Sequence, residues 1–315
     1  MKGECMAGTA EVIDILGLGV AVVDELLMVE TFPKPNLKFP VLSWTRQGGG
    51  LTSTALVAAS RLGRACHFVV TLGRDERSAF LRESLEKEGI VLHEHPGPPD
   101  EHPHNSIVIT EKGSGDRSIM WSEEHLFQLE IGPSDLDLVD RARCLFVDNV
   151  YAVKIMGAVR RGRDRGIPVV GDFENTRPHV VELINLTDHV IMPLVHASAL
   201  TGESDPELIL AALMRTPGRS LACVTDSERG AWYAHESRPG IVAHQSAFPV
   251  ENVVDTCGCG DVFHGAYAAC LVEGFAPAEC IRRAAAAGAL KAGKAGSQSG
   301  APTRNELDAF LMKYT

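Results

Sequence analysis

Short apolar runs alternate with amphipathic segments along most of the chain. The run from Val12 to Val23 mixes small and branched residues and predicts a strand that is covered on both faces and ends at Asp24. Cys66 to Leu72 predicts a second buried strand, followed by a helix that reaches Glu88. A carboxylate just past a buried strand lies where open α/β sheets bind ligands, so Asp24 is a candidate site residue. A solvated strand end would be the better explanation if this were the only clue.

The same alternation continues through the middle of the chain. The predicted elements are strand Cys144–Val147, helix 152–165, strand Ile167–Gly171, helix 178–186, strand His189–Met192, helix 205–215 and strand Leu221–Thr225. Strands that alternate with helices predict parallel strands joined by right-handed crossovers. We therefore predict an α/β fold with a doubly wound, mostly parallel sheet flanked by helices.

Two segments interrupt this alternation. Residues 30–47 contain three prolines among short β-like pieces, and residues 105–110 and 118–121 flank a turn rich in Gly, Ser and Asp, which predicts a β-hairpin. Together they predict a small β lid formed by insertions at about 30–47 and 105–122. The histidines from His93 to His104 are predicted to lie in a Pro-rich loop. Because the composition shows no break, linker or repeat, we predict a single domain over residues 1–315.

Composition and charge narrow the function classes. The chain has 315 residues, is 45% hydrophobic and carries a formal charge of −11, which argues against nonspecific binding to nucleic acid or to an anionic membrane. A local cluster of backbone amides can still bind the phosphates of ATP on an acidic protein. The apolar run from Ile15 to Val23 is too short to span a bilayer. The eight cysteines form no C-x-x-C pair, so we predict free thiols and a cytoplasmic location.

The clearest chemical signal is the signature D-T-C-G-C-G-D, from Asp255 to Asp261, which a helix-compatible run follows. The first N–H groups of a helix have no partner within the helix and carry partial positive charge, so the turn predicts an anion site. Asp261 lies at the helix start, where its carboxylate can accept a hydroxyl proton during phosphoryl transfer. The alternative is a helix cap with glycines that only make the turn. The complete pattern favours the functional interpretation.

This signature resembles the C-terminal signature of the PfkB/ribokinase family of carbohydrate and nucleoside kinases. The resemblance implies a ribokinase-like fold, with Asp261 as the catalytic base and an anion hole made by the backbone of Cys257, Gly258, Cys259 and Gly260. Cys259 stands where the family usually has Ala, a change that leaves the backbone amide in place. Because Asp261 lies at a helix N-terminus, we expect it to be ionised at neutral pH.

The resemblance extends to the sugar site. G-G-x-x-x-N-x-A, the N-terminal family signature that binds the sugar, is matched at Gly49, Gly50 and Thr54, with Thr54 in place of the usual Asn. Arg117 and Asp148 match family positions near the sugar, although each alone is more typical of a surface charge. The family covers this site with a lid and often dimerises through it. The resemblance therefore implies substrate binding by Asp24, Gly49, Gly50, Thr54, Arg117 and Asp148.

A nucleotide loop and a cation site follow from the same resemblance. Thr225 to Gly230 resembles the family's T-x-G-x-x-G loop, with Ser227 replacing a glycine. Backbone carbonyls in the family hold a monovalent cation, K⁺, beside the first Asp of the signature. The matching positions are Asp255, Lys291, Lys294 and Gly296. Gly300 stands where a serine ligand of that cation is found.

The Mg²⁺ site shows a second departure from the family. Pro193-Leu194-Val195-His196 aligns with the N-x-x-E motif, so the carboxylate that helps to organise the metal is missing there. Asp172 and Glu174 end a predicted strand and could help to hold Mg²⁺, although a solvated loop explains them equally well.

The combined prediction is ATP-dependent phosphorylation of a hydroxyl of a small sugar, with ATP and Mg²⁺, and K⁺ as a further cation. G-G-G-x-x-x-T at 48–54 and D-V-F-H-G-A at 261–266 look closer to the ketohexokinase and sulfofructose-kinase branches than to ribokinase itself. Two alternatives stay open: a non-catalytic sensor that binds a sugar or nucleoside on the same fold, and a nucleoside kinase. The expected partners are small molecules and a second copy of the chain, bound through the lid.

Overall fold

Two β-sheets organise the chain. The computed structural model describes residues 12–113 and 117–314, and within them the chain forms a nine-stranded and a four-stranded sheet. In chain order the strands are β1 (Ile15–Leu18), β2 (Val22–Val29), β3 (Ser43–Gly49), β4 (Cys66–Leu72), β5 (Val91–Pro96), β6 (His104–Glu111), β7 (Arg117–Trp121), β8 (Leu145–Asp148), β9 (Val169–Asp172), β10 (His189–Pro193), β11 (Leu221–Thr225), β12 (Ala231–His235) and β13 (Val242–Gln245). The helices are α1 (Leu51–Arg61), α2 (Glu76–Lys87), α3 (Pro133–Arg141), α4 (Ala152–Asp164), α5 (Pro178–Leu186), α6 (Leu194–Thr201), α7 (Pro206–Leu213), α8 (Cys259–Glu273), α9 (Pro277–Ala292) and α10 (Arg304–Leu311).

The large sheet has the order β13-β12-β11-β10-β9-β8-β1-β4-β5 and is parallel from β11 to β5. Only β12 and β13 are antiparallel. Helices cover both faces, with α1, α8 and α9 packed on one side and α3, α4, α5 and α7 on the other. The predicted doubly wound α/β fold with a mostly parallel sheet is therefore confirmed.

The side chains of the central strands divide between two cores. Along β1, Ile15 joins the core under α1 and α8, whereas its neighbour Leu16 joins the core under α4 and α5. Phe68 and Val69 of β4 divide in the same way. Successive strand residues point to opposite faces, so a strand covered on both faces must be apolar throughout. Each such side chain contributes about 1.5–3 kcal/mol by leaving water.

The predicted first strand is wrong in one respect: the apolar run of residues 12–23 does not form one element. It divides between β1 in the large sheet and β2 in the small sheet, and Asp24 lies inside β2. The chain changes sheets at Gly19, where a Cβ atom would lie 2.0 Å from Thr52 Oγ1 and 2.2 Å from Asp148 Oδ2. Apolar composition alone cannot show this change, because both pieces are buried.

The small sheet, called the lid sheet below, has the order β3-β2-β6-β7. It confirms the predicted hairpin, since β6 and β7 are antiparallel neighbours. The register places Asp24 opposite both Gln47 and Ser106. Directly paired residues share a face, so these three side chains lie on one face of the lid sheet.

The histidine-rich segment differs from its prediction as a loop. Residues Val91–Pro96 form β5, which pairs with β4 at the end of the large sheet. An edge strand has one free side and tolerates polar residues and a terminal proline, so His93 and His95 are compatible with it.

Candidate active site

The start of α8 has the features of an anion site. Its N-cap residue is Gly258, with φ of 83°, and a Cβ atom there would lie 2.6 Å from Ser297 Cβ. A side chain is thus excluded by both the left-handed backbone and the neighbouring loop. In the described part of the chain, the amides of Gly258 and Gly260 donate to no other group. These N–H groups at a helix N-terminus carry the partial positive charge that an anion requires.

The amide of Cys257 has a different role from the predicted one. Its N–H donates to Asp255 Oδ1 at 2.8 Å, and the N–H of Cys259 points to the Thr256 carbonyl oxygen at 3.3 Å. Asp255 Oδ2 accepts a second bond from the Gly296 N–H, also at 2.8 Å. Of the four residues predicted to form the anion hole, Gly258 and Gly260 are therefore the ones whose N–H groups have no partner in the described residues. Asp255, the first aspartate of the signature, thus links the turn to Gly296 through its two carboxylate oxygens.

Asp261 is half-buried in the first turn of α8, beside the free amides. Burial raises its pKa well above the ordinary value, and the nearby carboxylates of Asp172, Glu174 and Asp24 raise it further. Burial and these neighbouring carboxylates therefore act against the helix dipole at Asp261, and its ionisation at neutral pH stays a prediction. A helix N-terminus contributes only about 0.3–1 kcal/mol at an exposed site, which desolvation and several like charges exceed.

Two carboxylates beside Asp261 fit a role in holding Mg²⁺. Burial and the charge of Glu174 raise the pKa of Asp172, and Asp172 Oδ2 is buried without a hydrogen-bond partner. Glu174 lies exposed on the loop that follows β9. Over residues 12–113 and 117–314, no three His, Cys, Asp or Glu side chains form a metal cage. Mg²⁺ usually binds through one or two carboxylates, waters and substrate phosphates, and this donor set suits that mode.

His264 closes the space beneath these carboxylates. Its Nδ1 lies 2.7 Å from the Gly260 carbonyl oxygen and 3.3 Å from Asp172 Oδ2, and its Nε2 lies 3.1 Å from the Ile191 carbonyl oxygen. Burial lowers its pKa. The ring thus ties the first turn of α8 to β10 of the large sheet.

The opposite wall of the cleft presents Asp24. Its Oδ1 accepts a hydrogen bond from Ser106 Oγ at 2.6 Å, and burial raises its pKa. A Cβ atom at Gly49 would lie 1.9 Å from Asp24 Oδ2, so only glycine at 49 leaves room for this carboxylate. Gly49, one of the two glycines predicted to bind a sugar, therefore leaves the space that the Asp24 carboxylate occupies.

Asp148 lies deeper than its predicted role requires. It is fully buried, and its oxygens accept hydrogen bonds from the Val20 N–H at 2.8 Å, Thr52 Oγ1 at 2.7 Å and the Val150 N–H at 2.8 Å. These bonds fix the change of sheets after β1 and the start of α1. They assign Asp148 a positioning role, and a direct contact with a sugar stays a prediction.

Thr54 and Gly50 lie in the first turn of α1. Gly50 is the N-cap residue, and its carbonyl oxygen accepts the Thr54 N–H at 2.9 Å. The Thr54 hydroxyl is buried without a hydrogen-bond partner. A buried hydroxyl costs free energy unless it is paired, so it is a group that a ligand can satisfy.

Arg117 connects the lid sheet to the signature. Its Nη1 donates to Thr256 Oγ1. Arg46, the other lid-sheet arginine near the site, pairs instead with Glu25 and Glu76, each at 2.6 Å. The alternation along the paired strands places Arg117 on the face of Asp24 and Arg46 on the opposite face.

The predicted nucleotide loop leaves the large sheet at Thr225, the last residue of β11. Ser227, which replaces the family's glycine, has φ of 45°, in the left-handed region that glycine favours. Gly230 ends the turn with φ of 87°. Ser227 thus adopts the left-handed backbone conformation that a glycine would adopt in this loop. This conformation costs a non-glycine residue about 1–2 kcal/mol.

The positions aligned with N-x-x-E form the start of α6. Pro193 is its N-cap residue, and His196 is half-buried in its first turn. Burial lowers the pKa of His196. This segment supplies no carboxylate, so the acidic groups near α8 remain the ones that can face a metal.

The predicted cation-site residues converge behind the signature. The Asp255 carboxylate faces Gly296 and the side chain of Lys291, whereas the Lys294 ammonium points away and pairs with Glu306 at 2.5 Å. The structure therefore brings together three of the four residues by their side chains or amides. Lys294 contributes its backbone.

Several residues of the cleft were absent from the sequence prediction. Ser106 could have been found from strand alternation, since it faces Asp24 across the register. Gln298, whose Nε2 lies 3.3 Å from Ser53 Oγ, had no sequence signal, and Thr256 lies within the signature but had no predicted role of its own. His264 resembles an ordinary core residue until its neighbours are known.

Comparisons with known proteins identify the family of the chain. The pfkB family of carbohydrate kinases matches residues 14–304. The chain is similar to a ribokinase of Bacillus subtilis, with 26% identity over 95% of this chain and 99% of the relative, and to a 2-dehydro-3-deoxygluconokinase of the same organism, with 23% identity over 86% and 88%. Its fold is similar to that of Arabidopsis thaliana ribokinase complexed with ribose and ATP, with a TM-score of 0.82, 23% identity and coverage of 96% and 99%. The chain belongs to the pfkB family of carbohydrate kinases.

Proposed function

We propose that the protein transfers the terminal phosphoryl group of ATP to a hydroxyl of a small sugar, with Asp261 as the catalytic base. The observation that carries this proposal is the arrangement at α8. There, Asp261 lies in the same helical turn as the free amides of Gly258 and Gly260, and Asp24 is near enough to raise its pKa. A proton acceptor, an anion site and an acceptor-binding carboxylate thus share one cleft.

The reaction follows from these positions. Asp24 and the backbone near Gly49 orient the sugar, and the Asp261 carboxylate accepts the proton of its hydroxyl. The hydroxyl oxygen forms the new bond to phosphorus while the bond to ADP breaks. The amides of Gly258 and Gly260 stabilise the negative charge on the phosphoryl group during its transfer. Asp172 and Glu174 would help to hold Mg²⁺, which would supply positive charge that offsets the charge of the phosphates.

The raised pKa of Asp261 fits this role. A carboxylate whose pKa is raised by its neighbours is a stronger base than an ordinary aspartate. The loose transition state of phosphoryl transfer lets the proton leave late, so the base need not ionise the hydroxyl beforehand. A bound cation and the positively polarised amides would favour the charged form of Asp261 in the working complex.

For the substrate we propose a ketohexose or a related carbohydrate, including derivatives with an acidic group at C6. Arg117 faces the cleft and can reach an anionic substituent, whereas Arg46 is committed to Glu25 and Glu76 on the other face. Nucleosides are the competing class. A non-catalytic sensor is the other alternative, favoured by the missing N-x-x-E carboxylate.

The test is ADP release from Mg-ATP against a panel of ketohexoses, C6-acidic sugars, sugar phosphates and nucleosides. We expect turnover with one or more sugars and none with the Asp261→Asn variant. Calorimetric sugar binding without turnover under any divalent metal would contradict the kinase assignment. A clear preference for a nucleoside would contradict the substrate class alone.

For the assembly we propose a homodimer through the lid sheet. Its outer face exposes apolar side chains, among them the directly paired Ile107 and Met120, exposed by 41% and 49%, and Trp44, exposed by 66%. Exposed apolar surface of this kind is typical of an interface. Light scattering should give the mass of a dimer for the parent and of a monomer for Ile107→Arg. A monomeric parent would refute the proposal.

For the location we propose the cytoplasm, with no membrane partner. Seven cysteines in the described residues are free, which suits a reducing compartment. No helix among residues 12–113 and 117–314 has the length and apolar character needed to cross a bilayer. Fractionation of cells that make the protein should recover it with soluble enzymes.

A further inference from the structure

The ammonium of Lys291 is buried where no step of the proposed reaction needs it. Lys291 is the next-to-last residue of α9, and its side chain has 0% exposure. Lysine is almost never fully buried unless its charge is paired, because an unpaired ammonium loses its hydration without compensation. The surroundings of this one atom therefore have to account for its position.

Three oxygens face the Lys291 ammonium. Nζ donates to the backbone carbonyl of Asp255 at 2.7 Å and to that of Lys294 at 3.2 Å, and Asp255 Oδ2 lies 3.4 Å away. Backbone carbonyls are the donors that replace the hydration shell of K⁺ in proteins. The C-terminal end of α9 adds the negative end of a helix dipole. A single positive charge is thus held as a bound monovalent cation would be.

The carbonyls expected to hold such a cation have partners already. The Lys291 carbonyl accepts the Lys294 N–H at 2.9 Å, and the Gly296 carbonyl accepts the Gly300 N–H at 3.0 Å. The Lys294 carbonyl accepts the ammonium itself. The donor set is therefore satisfied from within the chain.

Gly300 makes room for the lysine stem. A Cβ atom at this position would lie 3.2 Å from Cε and 3.3 Å from Cδ of Lys291, and 2.7 Å from the Gly296 carbonyl oxygen. The family resemblance places a serine ligand of the cation here. A serine in this chain would crowd the lysine, so the lost hydroxyl and the buried ammonium are linked by space as well as by charge.

We propose that the Lys291 ammonium is a built-in substitute for the exchangeable monovalent cation, and that the protein consequently neither binds nor requires K⁺ at this place. The residues around Asp255 do not fit a second cation, because two positive charges a few ångströms apart in a buried site repel each other. Lys291 is a positioning residue. It holds the Asp255 carboxylate, which in turn holds the turn that carries the Gly258 and Gly260 amides.

The first experiment uses the parent protein. Thermal unfolding and the affinity for ATP are measured in KCl, NaCl and choline chloride at equal ionic strength. We expect the three salts to give the same midpoint and dissociation constants within about twofold, since no site discriminates among the ions. A K⁺-specific rise in the midpoint, or a K⁺-specific gain in ATP affinity of tenfold or more, would overturn the proposal. Neither readout depends on sugar turnover, so this outcome is separate from the fate of the kinase assignment.

The second experiment creates the missing ion site. Lys291→Ala removes the ammonium and leaves the Asp255 carboxylate uncompensated, so ATP affinity should fall about tenfold and K⁺ should restore most of it, more than choline does. The double variant with Gly300→Ser adds back a hydroxyl and should respond to K⁺ at lower concentrations. Lys294→Ala is the matched control, because its ammonium pairs with Glu306 outside this cage.

These variants distinguish a charge from a space-filling role. Rescue by K⁺ is a response that a merely structural lysine does not give. If Lys291→Ala unfolds in every salt, the comparison of salts on the parent still decides the proposal. If Lys291→Ala binds ATP as the parent does in choline chloride, Lys291 does not position the turn and the proposal is wrong.

Discussion

The two walls of the cleft are built in different ways. The wall proposed to face the phosphates is held in place by the Asp255 carboxylate and the buried Lys291 ammonium, and Gly258 is packed against Ser297. The wall proposed to face the sugar is the lid sheet, whose outer strand β7 has all five residues exposed. One wall is fixed by buried charge and the other is a small sheet with an open edge.

This difference suggests a division of roles, in which one wall serves phosphoryl transfer and the other serves recognition of the sugar. Stabilisation of charge on a transferring phosphoryl group depends on hydrogen-bond donors that are already in place. Reorganising the donors during the reaction would cost free energy and offset the stabilisation of the transition state. Recognition of a sugar depends on side chains that can differ without disturbing those donors. Proteins named ribokinase and 2-dehydro-3-deoxygluconokinase are both similar in sequence to this chain.

The largest effect is expected at Asp261, on the fixed wall. Asp261→Asn keeps the size of the side chain and removes the acceptor charge, so turnover should fall about a hundred- to ten-thousandfold while ATP affinity changes little. Steady-state kinetics and calorimetry measure the two quantities. A variant that binds both ligands and turns over near the parent rate would show that Asp261 is only a helix cap.

The same variant should be more stable than the parent. Removing one charge from a group of buried carboxylates relieves repulsion, and a gain of ~1 kcal/mol corresponds to about 2–4 °C in Tm for a chain of this size. Differential scanning calorimetry without ligands checks this. A lower Tm would mean that Asp261 supports the fold more than it strains it.

Gly49→Ala tests the other wall. The added Cβ would lie 1.9 Å from Asp24 Oδ2, so the carboxylate has to move, and KM for the sugar should rise about tenfold or more with ATP affinity unchanged. Gly157→Ala in α4 is the matched control, because nothing lies within 4 Å of a Cβ atom there. Equal loss of sugar and ATP binding would show that the two walls are not independent.

The pH profile gives a smaller effect on the fixed wall. If the Asp261 carboxylate is the catalytic base, as proposed, its raised pKa should make kcat/KM decline on the acid side at a pH above about 4, where an ordinary aspartate titrates. Asp172→Asn removes a neighbouring charge and should shift this limb to lower pH. An unchanged limb in that variant would remove Asp172 from the causes of the shift.

Stability should follow the opposite trend with pH. A carboxyl whose pKa is higher in the folded than in the unfolded state binds protons on folding. The free energy of unfolding therefore falls as pH rises from the ordinary pKa through the raised one. Chemical denaturation of the unliganded protein from pH 4 to 8 measures this slope. In Asp261→Asn the slope should be shallower.

The smallest effect is expected in the nucleotide loop. Ser227→Gly removes a side chain from a left-handed backbone and should stabilise the protein by at most ~1 kcal/mol, with little change in KM for ATP. Thermal unfolding measures the gain. A loss of ATP affinity would show that the serine hydroxyl, and not only the backbone path, contacts the nucleotide.

The sequence predicted those features whose signals are local. β4, α5 and β11 lie at their predicted bounds, because each is a continuous apolar or amphipathic segment between clear turn signals. The prediction that Asp24 ends the first strand was wrong, because two consecutive buried strands in different sheets look like one long apolar run in the sequence. The sheet change depends on Thr52 and Asp148, which are distant in sequence and meet Gly19 only in the folded chain.

The chemistry of the site divides in the same way. The signature placed Asp261 and the glycine amides together because they are neighbours in the chain. The raised pKa of Asp261 could not be predicted, because it comes from Asp172, Glu174 and Asp24 on other elements. The buried ammonium of Lys291 was likewise hidden, since a lysine near a helix end is usually exposed.

The hydrogen bond between Arg117 and Thr256 is relevant to the hydrolysis of ATP in the absence of a sugar. It joins the lid sheet to the turn proposed to bind phosphate, and it is exposed to solvent. An exposed bond of this kind contributes about 0.5–1.5 kcal/mol, which biases an open-to-closed equilibrium by a factor of only about 2–12. If the lid sheet moves in this way, we predict that closure over the nucleotide alone is weakly favoured and that a bound sugar supplies the rest. Water would then compete for the phosphoryl group mainly when no sugar is bound.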